Sequence, residues 1–158
     1  MTKEALQKLI SSWFSNSSEA GLSFFTEGSE FLNVEIQPEY LHNFMHQLKN
    51  EQETCFDYLF CLTGVDWGKE LGVVYHLEST TLRHSIVVRV KTNDRENPAI
   101  DTVSDIWATA EFHEREVYDF FGIKFNNHPN LKRLFLTDEW SGFPLRKDYE
   151  DEINMVIK

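Results

Sequence analysis

Leu6, Leu9, Ile10, Trp13 and Phe14 recur at helical spacing, which predicts a first helix over Lys3 to Phe14 with Thr2 placed to cap it. The polar stretch Ser15 to Glu19 is expected to end that helix. Leu32, Val34 and Ile36 then alternate with Asn33 and Glu35, the period-two pattern of a half-buried strand. Pro38 opens a second helix at the position where proline is tolerated, with Leu41, Phe44, Met45 and Leu48 as its buried stripe. Phe56 to Val65 is apolar on both faces, as expected of a strand central in a sheet. Val73 to Leu77 and Ile86 to Val90 follow across short polar turns, so an antiparallel meander is expected. After the turn-rich Asn93 to Pro98, a helix from about Ala108 to Phe121 is stopped by Gly122. This order predicts an α+β fold, a two-layer domain with helices on a mostly antiparallel or mixed sheet. Residues 1–122 form that single domain, and 123–158 are expected to be its long, irregular, partner-docking tail.

Charge and cysteine content narrow the function. The chain has 158 residues and a formal charge of −11, which argues against unaided nucleic-acid binding, because neutralising phosphates requires a basic surface. The segment Lys124 to Lys147 runs against that trend, with five basic residues and two acids, and could dock an acidic partner. Cys55 and Cys61 are the only cysteines, too few for a four-ligand iron–sulfur or structural zinc site. Both lie in an apolar run and are expected to be small buried hydrophobes. The N-terminus lacks the apolar core of a signal peptide, and no apolar run reaches the roughly 20 residues of a membrane span. A soluble, cytoplasmic chain is therefore expected, linked to a membrane only through a partner.

The chemistry is concentrated between Glu111 and Tyr149. On the helix, Phe120, Val117, Phe121 and His113 share one arc, while Arg115 and Asp119 are four apart and are expected to pair, with Glu116 close by. His113, Glu116 and Asp119, joined by His128, resemble a metal set. However, positions i and i+6 point about 120° apart, and Val117 stands where a zincin helix needs its second histidine. A stand-alone metal-dependent hydrolase on His113, Glu116 and His128 remains as an alternative of another class, and an adaptor for an acidic protein as a third. The sequence has no nucleophile elbow, dinucleotide fingerprint or P-loop. Beyond Gly122, Pro129 restricts His128 to extended backbone. Trp140, Phe143 and Tyr149 interleave with Arg146 and Lys147, the composition of an interface hot spot.

Glu114-Arg115-Glu116, Asp119, Gly122-Ile123, Phe125, His128-Pro129, Leu131, Arg133, Trp140, Gly142 and Pro144-Leu145-Arg146-Lys147-Asp148-Tyr149 together resemble one family. It is the thirty-kilodalton subunit, also called the C subunit, of respiratory NADH:quinone oxidoreductase (complex I, NDH-1). Asp66-Trp67, Tyr75-His76-Leu77 and Ile106-Trp107 extend the resemblance upstream. The chain departs from the family at Ala108 and Phe112, where a proline and a second tryptophan are usual, and at Arg133-Leu134-Phe135, usually Arg-Ile-Leu.

The resemblance implies a peripheral-arm subunit with no redox centre or catalytic residue of its own. Such a subunit packs on the forty-nine-kilodalton-type subunit near the quinone site, on the cytoplasmic side of the inner membrane. NADH, FMN, iron–sulfur clusters and a quinone would be handled by other subunits of a proton-translocating complex. Arg133, Arg146 and Lys147 are expected at partner contacts, with Trp140 and Phe143 as apolar anchors. The equivalent subunit of a membrane-bound nickel–iron hydrogenase or F420-linked complex is the alternative within the same class.

Overall fold

The structure, a computed structural model, describes residues 1–14, 21–25 and 28–151. Helix α1 spans Lys3–Ser12, and Thr2 caps it by accepting the Ala5 N–H at 3.3 Å. It is shorter than expected, ending before Trp13, and the stretch Ser15 to Glu19 lies outside the described residues. Helix α2, Pro38–Asn50, begins on its proline and buries the expected Leu41, Phe44, Met45 and Leu48. The strands are β1 (Ser23–Phe25), β2 (Leu32–Ile36), β3 (Tyr58–Asp66), β4 (Leu71–Ser79), β5 (His84–Thr92), β6 (Ala99–Asp101) and β7 (Lys124–Asn126). Helix α3, Ala110–Phe121, lies between the last two.

Among the described residues, five strands form one mixed sheet in the order β1-β2-β5-β4-β3, with helices packed on it, and the expected α+β class holds. The meander of β3, β4 and β5 is antiparallel, whereas β2 joins β5 in parallel, a pairing that strand-by-strand patterning does not specify. Three short strands were not expected. β1 extends one edge of the sheet, and β6 pairs with β7 in parallel as a small second sheet. The segment after Gly122 is thus partly regular, since it supplies β7.

β3 is an edge strand, which corrects the expectation that it lies at the centre. Its two apolar faces have different surroundings: Leu59 and Leu62 point into the core, while Tyr58 and Phe60 remain exposed. α3 packs along β3, and at Gly64, which offers no side chain, a Cβ would stand 2.5 Å from the Phe121 ring. Cys55 and Cys61 are half-buried rather than enclosed.

Candidate functional site

The buried face of α3 carries charge. Among its fully or nearly buried residues are Glu114, Arg115 and Asp119 beside Ala110 and Val117, whereas His113, Phe120 and Phe121 are only half-buried. A buried charge requires a partner. For Arg115 and Asp119 the partners come from the chain beyond Gly122, whereas Glu114 meets Thr102 and Val103 ahead of the helix.

Asp119 does not pair with Arg115, as its helical spacing had suggested, but with Arg133, through Oδ1 at 2.9 Å. Its Oδ2 accepts the N–H groups of Leu134, Phe135 and Leu136 at 3.0, 2.7 and 3.0 Å. Burial pushes this carboxyl up. The backbone donors of Leu136 and Phe135, then Arg133 and Leu134, outweigh it and hold the group below the ordinary carboxylate range. Arg115 turns instead to the carbonyls of Lys132 and Arg133 at 3.2 and 3.1 Å, with its guanidinium over the Phe112 ring. Both residues order the segment after the helix, each through its own contacts.

A helix leaves its last four carbonyls without partners of its own. In α3, Gly122, in the left-handed conformation at φ 70°, donates to the Tyr118 carbonyl. Arg133 donates to the Asp119 carbonyl, the Leu145 N–H to that of Phe120, and Arg146 Nε to that of Phe121 at 2.6 Å. The tail is therefore the C-terminal cap of α3, and its two arginines sit where the helix dipole favours cations. Phe143 lies between their guanidinium groups, 5.2 Å from Arg133 and 4.9 Å from Arg146. Arg133 also donates to the carbonyls of Trp140 and Gly142.

The tail's second anchor is Asp66, at the end of β3. Arg95 grips it in a two-pronged pair at 2.8 and 2.9 Å, and the N–H groups of Gly68 and Lys147 add to it. Chiefly through the Arg95 hydrogen bonds, and despite burial, the Asp66 carboxyl is held far below the ordinary range. Arg95 also reaches Asp148, and its carbonyl accepts from Arg146. Asp66 and Arg95 are the residues that sequence reasoning left out of the site. Asp66 was visible within the Asp66-Trp67 pair, whereas nothing around Arg95 marked it.

The remaining expected site residues take varied positions. His128 is enclosed and donates from Nε2 to the Glu111 carbonyl at 2.9 Å, while Pro129 and Glu116 are exposed. Trp140, Pro144 and Tyr149 are half-buried, and Lys147 and Asp148 are exposed. Among the described residues, no group of three or more His, Cys, Asp or Glu side chains is close enough to hold a metal ion, so His113, Glu116 and His128 do not converge. Among the same residues, no helix is long and apolar enough to cross a membrane.

Fold and site define a class: a two-layer α+β module whose densest cluster of charges ties its own C-terminal segment onto one helix. Residues 34–153 match the family model of the respiratory-chain NADH dehydrogenase 30 kDa subunit, and the chain belongs to that family. It is 56% identical over 122 residues to the NADH-quinone oxidoreductase C/D subunit of Phocaeicola vulgatus, covering 77% of this chain and 23% of that protein. It is 40% identical over 126 residues to the C subunit of Roseiflexus castenholzii, covering 76% of this chain and 72% of that one. The chain thus spans about a quarter of the length of the Phocaeicola relative and most of that of the Roseiflexus relative. A chain in the structure of the membrane-bound sulfane sulfur reductase, an archaeal respiratory membrane complex, superposes with a TM-score of 0.73 at 27% identity. That match covers 93% of this chain and 85% of the other.

Proposed function

We propose that this chain is a cofactor-free architectural subunit of a proton-translocating NADH:quinone oxidoreductase, docking through the α3–tail unit on the forty-nine-kilodalton-type subunit near the quinone site. NADH, FMN, the iron–sulfur clusters and the quinone would be handled by other subunits. The complex would hold this one peripherally, on the cytoplasmic side of the inner membrane. The observation that carries the reading is the contrast between the inner and outer sides of the α3–tail unit. Its buried Arg115 and Asp119 are satisfied within the unit, yet Phe112, Phe135 and Leu145 are 58%, 64% and 55% exposed. Large apolar side chains held out on a rigid frame, beside exposed Lys132 and Lys147, suit a partner surface. The family's name supports the choice of complex.

Affinity purification from mildly solubilised native membranes tests the reading. Recovery with a forty-nine-kilodalton-type partner and NADH:quinone activity is expected, and recovery as a lone protein would sink it. The likeness to a chain of another respiratory membrane complex favours a second reading, the equivalent subunit of a related assembly such as a membrane-bound hydrogenase or an F420-linked enzyme. Co-purified hydrogen- or F420-linked activity in place of NADH oxidation would select it.

A further inference from the structure

Glu114 is fully buried on α3, where a charged carboxyl is costly unless a cation meets it. Its Oε1 accepts the Val103 N–H at 2.8 Å, and its Oε2 lies 2.5 Å from Thr102 Oγ1. The neighbouring cation, Arg115, gives its donors to the carbonyls of Lys132 and Arg133. His128 comes within 3.7 Å, too far for a hydrogen bond. The imidazole is already satisfied as the Nε2–H tautomer assigned from its bonds: Nε2 donates to the Glu111 carbonyl and Nδ1 accepts the Asn130 N–H. A second proton on Nδ1 would displace the Asn130 bond. From the other elements packed here, the groups within electrostatic reach are acids and a phenol. Asp105 acts on Glu114, and the buried Tyr75 of β4 feels both Glu114 and Asp101. Asp105 is itself tied to His42 of α2 at 2.8 Å.

A route to water begins at the same carboxyl. Thr102 Oγ1 lies 2.8 Å from Ser104 Oγ and accepts the Ser104 N–H at 3.1 Å. Thr102 also lines an open pocket of about 380 Å³ with His42, Asp101 and Asp105.

We propose that Glu114 is a proton-binding switch, whose neutral acid locks α3 to residues 102–104 and whose proton, leaving through Thr102 and Ser104, loosens that joint. In the acid form Oε2–H donates to Thr102 Oγ1 while Oε1 keeps the Val103 N–H, so both oxygens are satisfied. In the carboxylate form Thr102 must turn its own hydrogen to Glu114 and ceases to be a donor to Ser104. A full charge then stands in a dry site beside further acids, and water entry or separation of the joint relieves it. Burial places the exchange in the physiological range, pushing the carboxyl up to about 7 against the opposing bonds from Thr102 and Val103, with Asp105 adding to the rise.

The test is an NMR titration of the glutamate carboxyl carbons of the full chain, with E114Q for assignment and exchange of the Val103 amide to read the joint. One carboxyl should titrate near neutrality and vanish in E114Q. Val103 protection should fall with the same midpoint in wild type but not in E114Q. T102V removes the hydroxyl that favours the charged form and should move the midpoint upward, whereas T102S should leave it in place. That pair carries the assignment if E114Q does not fold. A Glu114 carboxyl titrating with the ordinary glutamates, or Val103 protection indifferent to its midpoint, would overturn the proposal.

Discussion

Replacing Asp119 by Asn keeps the size of the side chain but strips the charge that Arg133 and three consecutive backbone N–H groups share. Breaking one side of a buried pair costs about 3–5 kcal/mol, so D119N should lower stability by that order in a urea titration. Gly122 poses a backbone problem. At φ 70° an alanine would be strained, and its Cβ would stand 2.4 Å from the Phe143 ring. G122A should cost about 1–3 kcal/mol from the left-handed strain, together with a change in the near-ultraviolet signal as Phe143 moves. Glu114 contributes with opposite sign to the aspartates. Its folded-state value of about 7 lies above its ordinary 4.5, so its contribution is complete below the unfolded value and is lost as pH rises through the folded one. At about 1.4 kcal/mol per unit, that loss is on the order of 3 kcal/mol.

At the scale of elements, helices with an apolar stripe and the three-stranded meander were legible, because period alone distinguishes them. The edge position of β3 and the parallel β2–β5 pairing were not, since strand order depends on contacts between distant segments. Nor were the inward charges of α3. A periodic reading assigns Glu114, Arg115 and Asp119 to solvent. What meets them is irregular chain with no period to read, residues 102–103 for Glu114 and the tail for Arg115 and Asp119. The family signature marked these residues without revealing that they face inward. The α3–β3 contact gives a test at this scale. G64A would drive a methyl into the Phe121 ring, and overpacking of this kind costs about 1–3 kcal/mol. The loss should be recovered in part by pairing it with Phe121→Leu, as a double-mutant cycle would show.

For the whole molecule, two linkages bound the pH range of greatest stability. Asp66 and Asp119 are held below their ordinary range. Their contribution is present above the unfolded value of about 4 and is lost as pH falls through the folded values. The Glu114 contribution declines between its unfolded 4.5 and its folded value of about 7. The urea midpoint should therefore peak at about pH 4–4.5, fall below that, decline on the alkaline side up to about pH 7 and level off beyond it. E114Q should flatten only the alkaline fall. Arg146→Glu tests how far the tail belongs to its own domain. An anion there would face the C-terminal carbonyls of α3 and lose the seat on Phe143. A loss of about 3 kcal/mol or more is expected, with Trp140 fluorescence shifting toward that of exposed indole.

Asp119 grips residues 134–136 by their main chain alone. What it recognises is the course of the polypeptide, and any non-proline residue can offer the same three N–H groups. The Asp119 grip itself therefore sets no demand on which non-proline side chain stands at these positions. Phe135, stacked on Phe120 yet largely exposed, can be exchanged to suit a different neighbour. Saturation mutagenesis should find position 135 permissive for folding and selective for assembly, with proline alone failing both.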